Sequence, residues 1–153
     1  MRKEFVMRGK TASGSTEVLN FGKYKAGYAY KITEFVLYPS TNIFAQAYEM
    51  AGTITAGKTA VAPTDPNFND DGLLATCFIK GNSGASDPIM SPELTIVNDT
   101  FMITQNLILM VQDAQSTAVN WQCRFESVKM TGAEEAAVNY KQFSISDEYD
   151  LSR

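Results

Sequence analysis

The chain has 153 residues, 44% hydrophobic and 20% charged, with 13 Lys and Arg against 17 Asp and Glu and no histidine. That length gives a single domain able to bury about 70% of its unfolded surface, so folding requires neither a metal nor a disulfide. A net charge of -4 opposes non-specific nucleic-acid binding, which needs cations clustered against phosphates, and the lack of histidine removes Ser-His-Asp and Cys-His catalysis.

Met1 to Arg8 contains no apolar stretch of the secretory type, so no signal peptide is expected. The longest apolar run, Leu107 to Val111, is far short of the ~20 residues that span a bilayer. A protein made in the cytosol, without a membrane partner, is the expectation.

Lys3 to Arg8 alternates weakly and reads as a first strand, with Gly9 to Ser15 as a turn-rich connection and Thr16 to Phe21 as its hairpin partner. Tyr28 to Tyr38 is rich in aromatic and β-branched residues. Tyr28, Tyr30, Ile32, Val36 and Tyr38 share one phase, and Phe35 and Leu37 take the other. A strand apolar on both faces is expected to be central in a sandwich or covered by a neighbouring subunit. Pro39 and Ser40 end it.

Within Ile43 to Thr55, Asn42 could cap a short helix over Ala45 to Met50, but Thr53-Ile54-Thr55 is strand-like and the second half is assigned to strand. Gly57 to Gly72, with Pro63 and Pro66, is long for a loop in a compact domain and is a candidate interaction segment. Leu73 to Lys80 is a strand, Gly81 to Pro92 a Gly/Ser/Pro loop, and Leu94 to Val97 a strand that runs into a turn at Asn98-Asp99. Phe101 to Val111 follows, broken near Gln105-Asn106.

Asp113 to Thr117 then reads as a hairpin turn into the most regular stretch, Val119 to Met130. Val119, Trp121, Cys123 and Phe125 point one way, and Asn120, Gln122, Arg124 and Glu126 point toward solvent or a partner. A bulge near Ser127 would return Val128 and Met130 to the core. Thr131-Gly-Ala-Glu134 has capping-box spacing and predicts a helix over Ala133 to Tyr140. The acids Asp147, Glu148 and Asp150 mark residues 144–153 as an exposed acidic tail. Residues 1–143 are thus expected to form one all-β domain, an antiparallel β-sandwich of jelly-roll-like type with one short helix near the C-terminus.

Two motifs invite chemistry. Gly52-Thr-Ile-Thr-Ala-Gly57-Lys58-Thr59 fits the P-loop pattern, but Pro63 and Pro66 follow where a phosphate-binding helix must begin, and nucleotide binding is set aside. Asp65, Asn67, Asn69 and Asp71 have the alternating oxygen spacing of a calcium loop, yet Asp70 and Thr76 stand where an EF-hand wants Gly and Glu. A local Asx-rich turn is favoured over a Ca²⁺ site. The adjacent acids Asp70/Asp71 and Glu134/Glu135 read as solvated surface charge rather than a glycosidase pair.

Cys77 and Cys123 both occupy apolar phases and are favoured as buried free thiols, with a disulfide between facing strands left open. The tyrosine-rich run supports either a core or interface role or a sugar-stacking platform, the former being preferred because Tyr is enriched at interfaces. Tyr28, Tyr30, Tyr38 and Phe68 are the interface candidates. No catalytic residue, cofactor or firm metal ligand is assigned.

Leu19-Asn-Phe-Gly22, Thr33-Glu-Phe-Val-Leu-Tyr-Pro-Ser40, Pro66-Asn-Phe-Asn-Asp-Asp-Gly72 and Asn120-Trp-Gln-Cys-Arg124 together resemble small virion proteins of tailed phages of marine bacteria. The resemblance implies a non-enzymatic building block of a virus particle, such as a capsid decoration protein. It implies self-association, as a trimer or higher oligomer, and contact with the major capsid protein or other virion proteins. A receptor- or carbohydrate-binding module of a phage tail, spike or fibre is the alternative.

Overall fold

Among the described residues, alternating apolar residues and Gly/Pro/Asx punctuation produce eight strands: β1 (Glu4–Thr11), β2 (Thr16–Leu19), β3 (Tyr28–Pro39), β4 (Tyr48–Ala56), β5 (Leu73–Gly81), β6 (Glu93–Val97), β7 (Leu107–Asp113) and β8 (Val119–Lys129). The structure, a computed structural model, describes residues 3–22, 27–41, 47–57, 59–81, 93–138 and 140. The expected tail at 144–153 lies outside the described residues, as do the cap Asn42 and the first two residues, Ala45 and Gln46, of the alternative helix over Ala45 to Met50; Ala47 is not helical and Tyr48–Met50 are strand.

The strands form two antiparallel sheets, ordered β1-β8-β3 and β2-β7-β4-β5-β6. The pairs nest, β1 with β8, β2 with β7 and β4 with β5, as if one long antiparallel ribbon had been folded over on itself. That is the wrapping of a jelly roll. β6 departs from it, continuing the five-stranded sheet beyond β5.

Two expected hairpins are not formed. β1 and β2 belong to different sheets, and so do β7 and β8. The inward residues Leu107, Leu109 and Val111 of β7 meet Val119, Trp121 and Cys123 of β8 across the core, so the short segment between them is an arch from one sheet to the other. A hairpin and an arch share the same alternating sequence signature, because alternation reports which side chains are buried and says nothing about the neighbouring strand.

Three chain reversals meet at Asp113, a buried residue at the end of β7. Its carboxylate accepts from Thr117 N at 3.2 Å, from the Thr117 hydroxyl and from Glu49 N at 3.4 Å. Its own N–H donates to Ser13 Oγ at 2.9 Å, in the arch between β1 and β2, where Gly14 takes a positive φ. Ala114 N donates to Glu49 O at 2.9 Å, and Ser40 Oγ donates to Ala118 O at 2.6 Å. The opposite end is closed by an aromatic cluster, in which Phe21 stacks on Tyr30 at 5.2 Å and meets Phe125 edge-on at 4.9 Å, with Phe5 against all three.

The bulge lies in β3 rather than near Ser127. The register with β8 passes from Ile32↔Phe125 to Glu34↔Arg124, leaving Thr33 as the extra residue. It turns Phe35 and Leu37 inward, where both are buried, and sends Val36 and Tyr38 outward. The tyrosines therefore do not share a face. Nor is β3 central; it is the edge of its sheet, beyond β8. Glu126 also departs from expectation, being buried among the polar residues rather than solvent-facing.

The capping box forms as read from the sequence. Glu134 N donates to Thr131 Oγ1 at 3.2 Å and Thr131 N donates to Glu134 Oε1 at 3.3 Å, opening a short helix, α1 (132–138). Glu135 Oε2 accepts from Gly27 N at 2.8 Å, tying α1 to the start of β3.

Trp121 lies directly opposite Gly9 in the β1–β8 ladder. A Cβ at Gly9 would come within 2.8 Å of the indole ring, and the indole N–H donates to Thr11 Oγ1 at 2.9 Å. Trp121→Ala should lower stability by about 3–5 kcal/mol through cavity formation. Gly9→Ala should cost about 1–3 kcal/mol by overpacking the same ring. Urea unfolding with an unchanged slope and a lowered midpoint is the expected readout for both.

Candidate functional surface

The long 57–72 segment does not stand away from the domain. Thr53 and Thr55 project from the outer face of β4, where Thr53 Oγ1 donates to Val61 O at 2.6 Å and Val61 N donates to Thr55 Oγ1 at 3.4 Å. Both threonines are buried beneath it. This clip lays the segment over the middle of the five-stranded sheet and leaves the sheet uncovered toward β6. Phe68, in the same segment, is 61% exposed and lines a cavity of about 190 Å³ with Leu73, Leu74, Thr76 and Ile96.

On β6, Leu94 is 66% and Ile96 56% exposed. The register sets Leu94 beside Phe78 and Ile96 beside Thr76 on the outer face. Phe78 in turn lines a groove of about 440 Å³, bounded by Glu49, Ala51, Pro63, Thr64 and Gln112. Phe68, Ile96, Leu94 and Phe78 thus make an apolar strip that ends at β6, beyond which no strand lies among the described residues. An isolated exposed Leu is ordinary, whereas a contiguous apolar strip of this kind is uncommon on a protein surface.

The outer face of the three-stranded sheet is mixed by contrast, with Val6, Val36 and Tyr38 set among polar side chains. Arg8 and Lys10 on β1 lie beside Gln122 and Asn120 on β8. Arg124 and Glu4 approach to 3.9 Å, an exposed pair that contributes little. Tyr38, 61% exposed, stands on this face.

The interface candidates are therefore dispersed. Tyr28 begins β3 and Tyr38 lies near its other end, about 33 Å apart at the ordinary rise of a strand. Tyr30 faces inward into the aromatic cluster. Phe68 alone among the four joins the strip described above. Leu94 and Ile96 were legible as a strand pair on one face of Leu94-Thr-Ile-Val97, but their exposure follows from β6 being the last strand of its sheet.

Of the candidate calcium residues Asn67 opens an Asx turn, and the neighbouring Asp70 opens a second. Asn67 Oδ1 accepts from Asn69 N at 3.0 Å and Asp70 Oδ1 accepts from Gly72 N at 2.8 Å, while Asp65 N donates to Ala62 O at 3.2 Å. Among the described residues no three His, Cys, Asp or Glu side chains gather as a metal site. The P-loop match is spent on structure: Gly52 lies within β4, and a Cβ there would reach 3.0 Å from Phe35. Among the described residues no helix is long and apolar enough to cross a membrane.

Cys77 on β5 and Cys123 on β8 are free and buried. Cys77 receives the Thr95 hydroxyl at 3.4 Å, and burial outweighs that bond and raises its pKa. Burial pushes the Cys123 thiol further, up to about 12, and outweighs a backbone hydrogen bond at Met7 that lowers it. No protein-family model matches the chain, and comparison with curated proteins finds none that matches.

Both thiols should resist alkylation in the folded protein at pH 8 and react on unfolding, since the thiolate is the reactive form. The folded state holds the Cys123 proton more tightly than the unfolded state does. The associated stability is therefore complete below pH 9.0, the ordinary thiol value, and is lost as pH rises toward about 12. In urea titrations between about pH 9 and 11, Cys123→Ala should lose less stability per pH unit than the parent chain, by up to about 1.4 kcal/mol.

Proposed function

We propose that this chain is a non-enzymatic structural protein of a bacteriophage particle, a homo-oligomer that decorates and stabilises the capsid. The observation that carries the reading is the apolar strip of Phe68, Ile96, Leu94 and Phe78 running to β6, the last strand of the five-stranded sheet among the described residues. A surface of this kind forms interfaces, and symmetric self-association is the usual outcome for a single repeated part.

The jelly-roll wrapping supports the same reading by analogy, since viral capsid domains use it, as do lectins and cupins. The phage context comes from the resemblance carried by segments 19–22, 33–40, 66–72 and 120–124. The protein works in the virion after synthesis in the host cytoplasm, with copies of itself and the major capsid protein or other virion proteins as partners. Its contribution is mechanical: apolar area buried between neighbours, of the order of 1,000 Å² or more per stable contact, ties shell subunits together.

Purified protein mixed with particles of the parent phage stripped of it should co-sediment with them and saturate at a fixed ratio of copies per shell subunit. Treated particles should also withstand heating that opens untreated ones. A chain that stays monomeric and does not sediment with particles overturns the assignment.

A further inference from the structure

We propose that the open edge of β6 is a two-fold contact between copies of this chain, with β6 of one protomer pairing antiparallel to β6 of a second about an axis at Thr95. The inference deepens the reading as a homo-oligomer by naming the surface and symmetry of one contact.

The direction of the backbone groups comes first. In an antiparallel pair, hydrogen-bonded and non-hydrogen-bonded residue pairs alternate. Asn98 N donates to Leu74 O at 2.8 Å, continuing the ladder in which Val97 faces Ala75 and Ile96 faces Thr76. Leu94 and Ile96 therefore turn their N–H and C=O toward β5. Glu93, Thr95 and Val97 turn theirs away from it, and among the described residues no strand lies on that side. A row of exposed donors and acceptors of this kind selects another strand as its partner.

The side chains then select a second β6. Leu94 and Ile96 flank Thr95 by one residue on either side. Of the registers that match outward groups to outward groups, the one centred on Thr95 uses the whole strand. Thr95 meets Thr95 of the second copy as a hydrogen-bonded pair, and Glu93 meets Val97. Leu94 lies opposite Ile96 of the second copy as a non-hydrogen-bonded pair, the closer of the two arrangements. The apolar strips of two protomers become one, with Phe78 and Phe68 at its margins.

The other three edges of the two sheets show why this one is different. β1 carries Glu4, Arg8 and Lys10, β3 carries the Thr33 bulge and ends at Pro39, and β2 is four residues long. Charges, bulges, proline and shortness are the devices that block edge pairing. Beyond Glu93 at its start, β6, five residues long, carries no charge, bulge or proline and is Leu-Thr-Ile-Val.

Sedimentation velocity and native mass spectrometry of the full chain over about 1–100 μM should show dimers or other even-numbered assemblies. Thr95→Pro removes the N–H at the axis without removing a ladder bond to β5, and should weaken association by at least about tenfold. Leu94→Lys and Ile96→Glu should each weaken it similarly. Combined in one chain they should associate more tightly than either alone, because this register sets Lys against Glu; Leu94→Lys with Ile96→Lys should not recover. Val18→Lys, at the exposed β2 edge, should leave the assembly unchanged, and circular dichroism should show each variant folded. A monomer throughout the range, or an odd-numbered assembly, overturns the proposal. An oligomer indifferent to Thr95→Pro and Ile96→Glu overturns this contact while leaving self-association standing. Particle sedimentation by a chain that never dimerises removes the contact and leaves decoration intact.

Discussion

The fold depends on a carboxylate held out of water where three chain reversals meet. A buried Asp is costly unless its oxygens are satisfied, and bonds to an ionised oxygen are the strong ones. Asp113 meets that condition with donors from Thr117 and from the start of β4, while its main chain engages Ser13 in the first arch. One residue thereby aligns the passage from β1 to β2, the start of β4 and the passage from β7 to β8. The nested order of the strands requires those passages to lie side by side, and Asp113 is where they are joined. The aromatic cluster at the far end is its apolar counterpart, closing the sheets by area and ring geometry rather than by directed bonds.

Between these ends the core is completed by fit. Trp121 occupies space that only a glycine at position 9 leaves open, and the Thr33 bulge turns Phe35 and Leu37 toward the partner sheet. Both features are local departures from regular pairing, and both serve burial. The two thiols belong to the same economy of space. They fill small apolar positions on facing sheets and are held protonated by their surroundings.

Strand positions, the capping box at Thr131 and the break near Gln105 were readable from residue order, because each rests on a local rule. Partnership was not. Thr16 to Leu19 pairs with Leu107 to Met110, a match that no turn signal announces, and the arch at Asp113 to Thr117 carries the same composition as a tight hairpin. The bulge was expected near Ser127 because Met130 is apolar, yet Met130 lies past the end of β8 and is buried without one. Of the residues in the apolar strip, Phe68 is among the candidates read from the sequence. Leu94 and Ile96 are not, since a Leu-Thr-Ile stretch reads alike at a sheet centre and at its rim. Tyr30 and Tyr38 share a phase in sequence but are separated by the bulge between them.

The pairing of the first strand with the last has a further consequence during synthesis. β1 is made before β2 to β7, and its ladder partner β8 only after them. β4 and β5 are neighbours both in sequence and in the sheet, so their hairpin can close while β1 still waits. Non-local pairings are slow because the loop entropy precedes the reward. The three-stranded sheet is therefore the late half of the molecule, assembled on a five-stranded half that itself awaits β7 to bring in β2. Until β8 is made, Phe5 and Met7 lack the strand they pair with, and apolar side chains waiting for a distant partner strand are the ones exposed to aggregation.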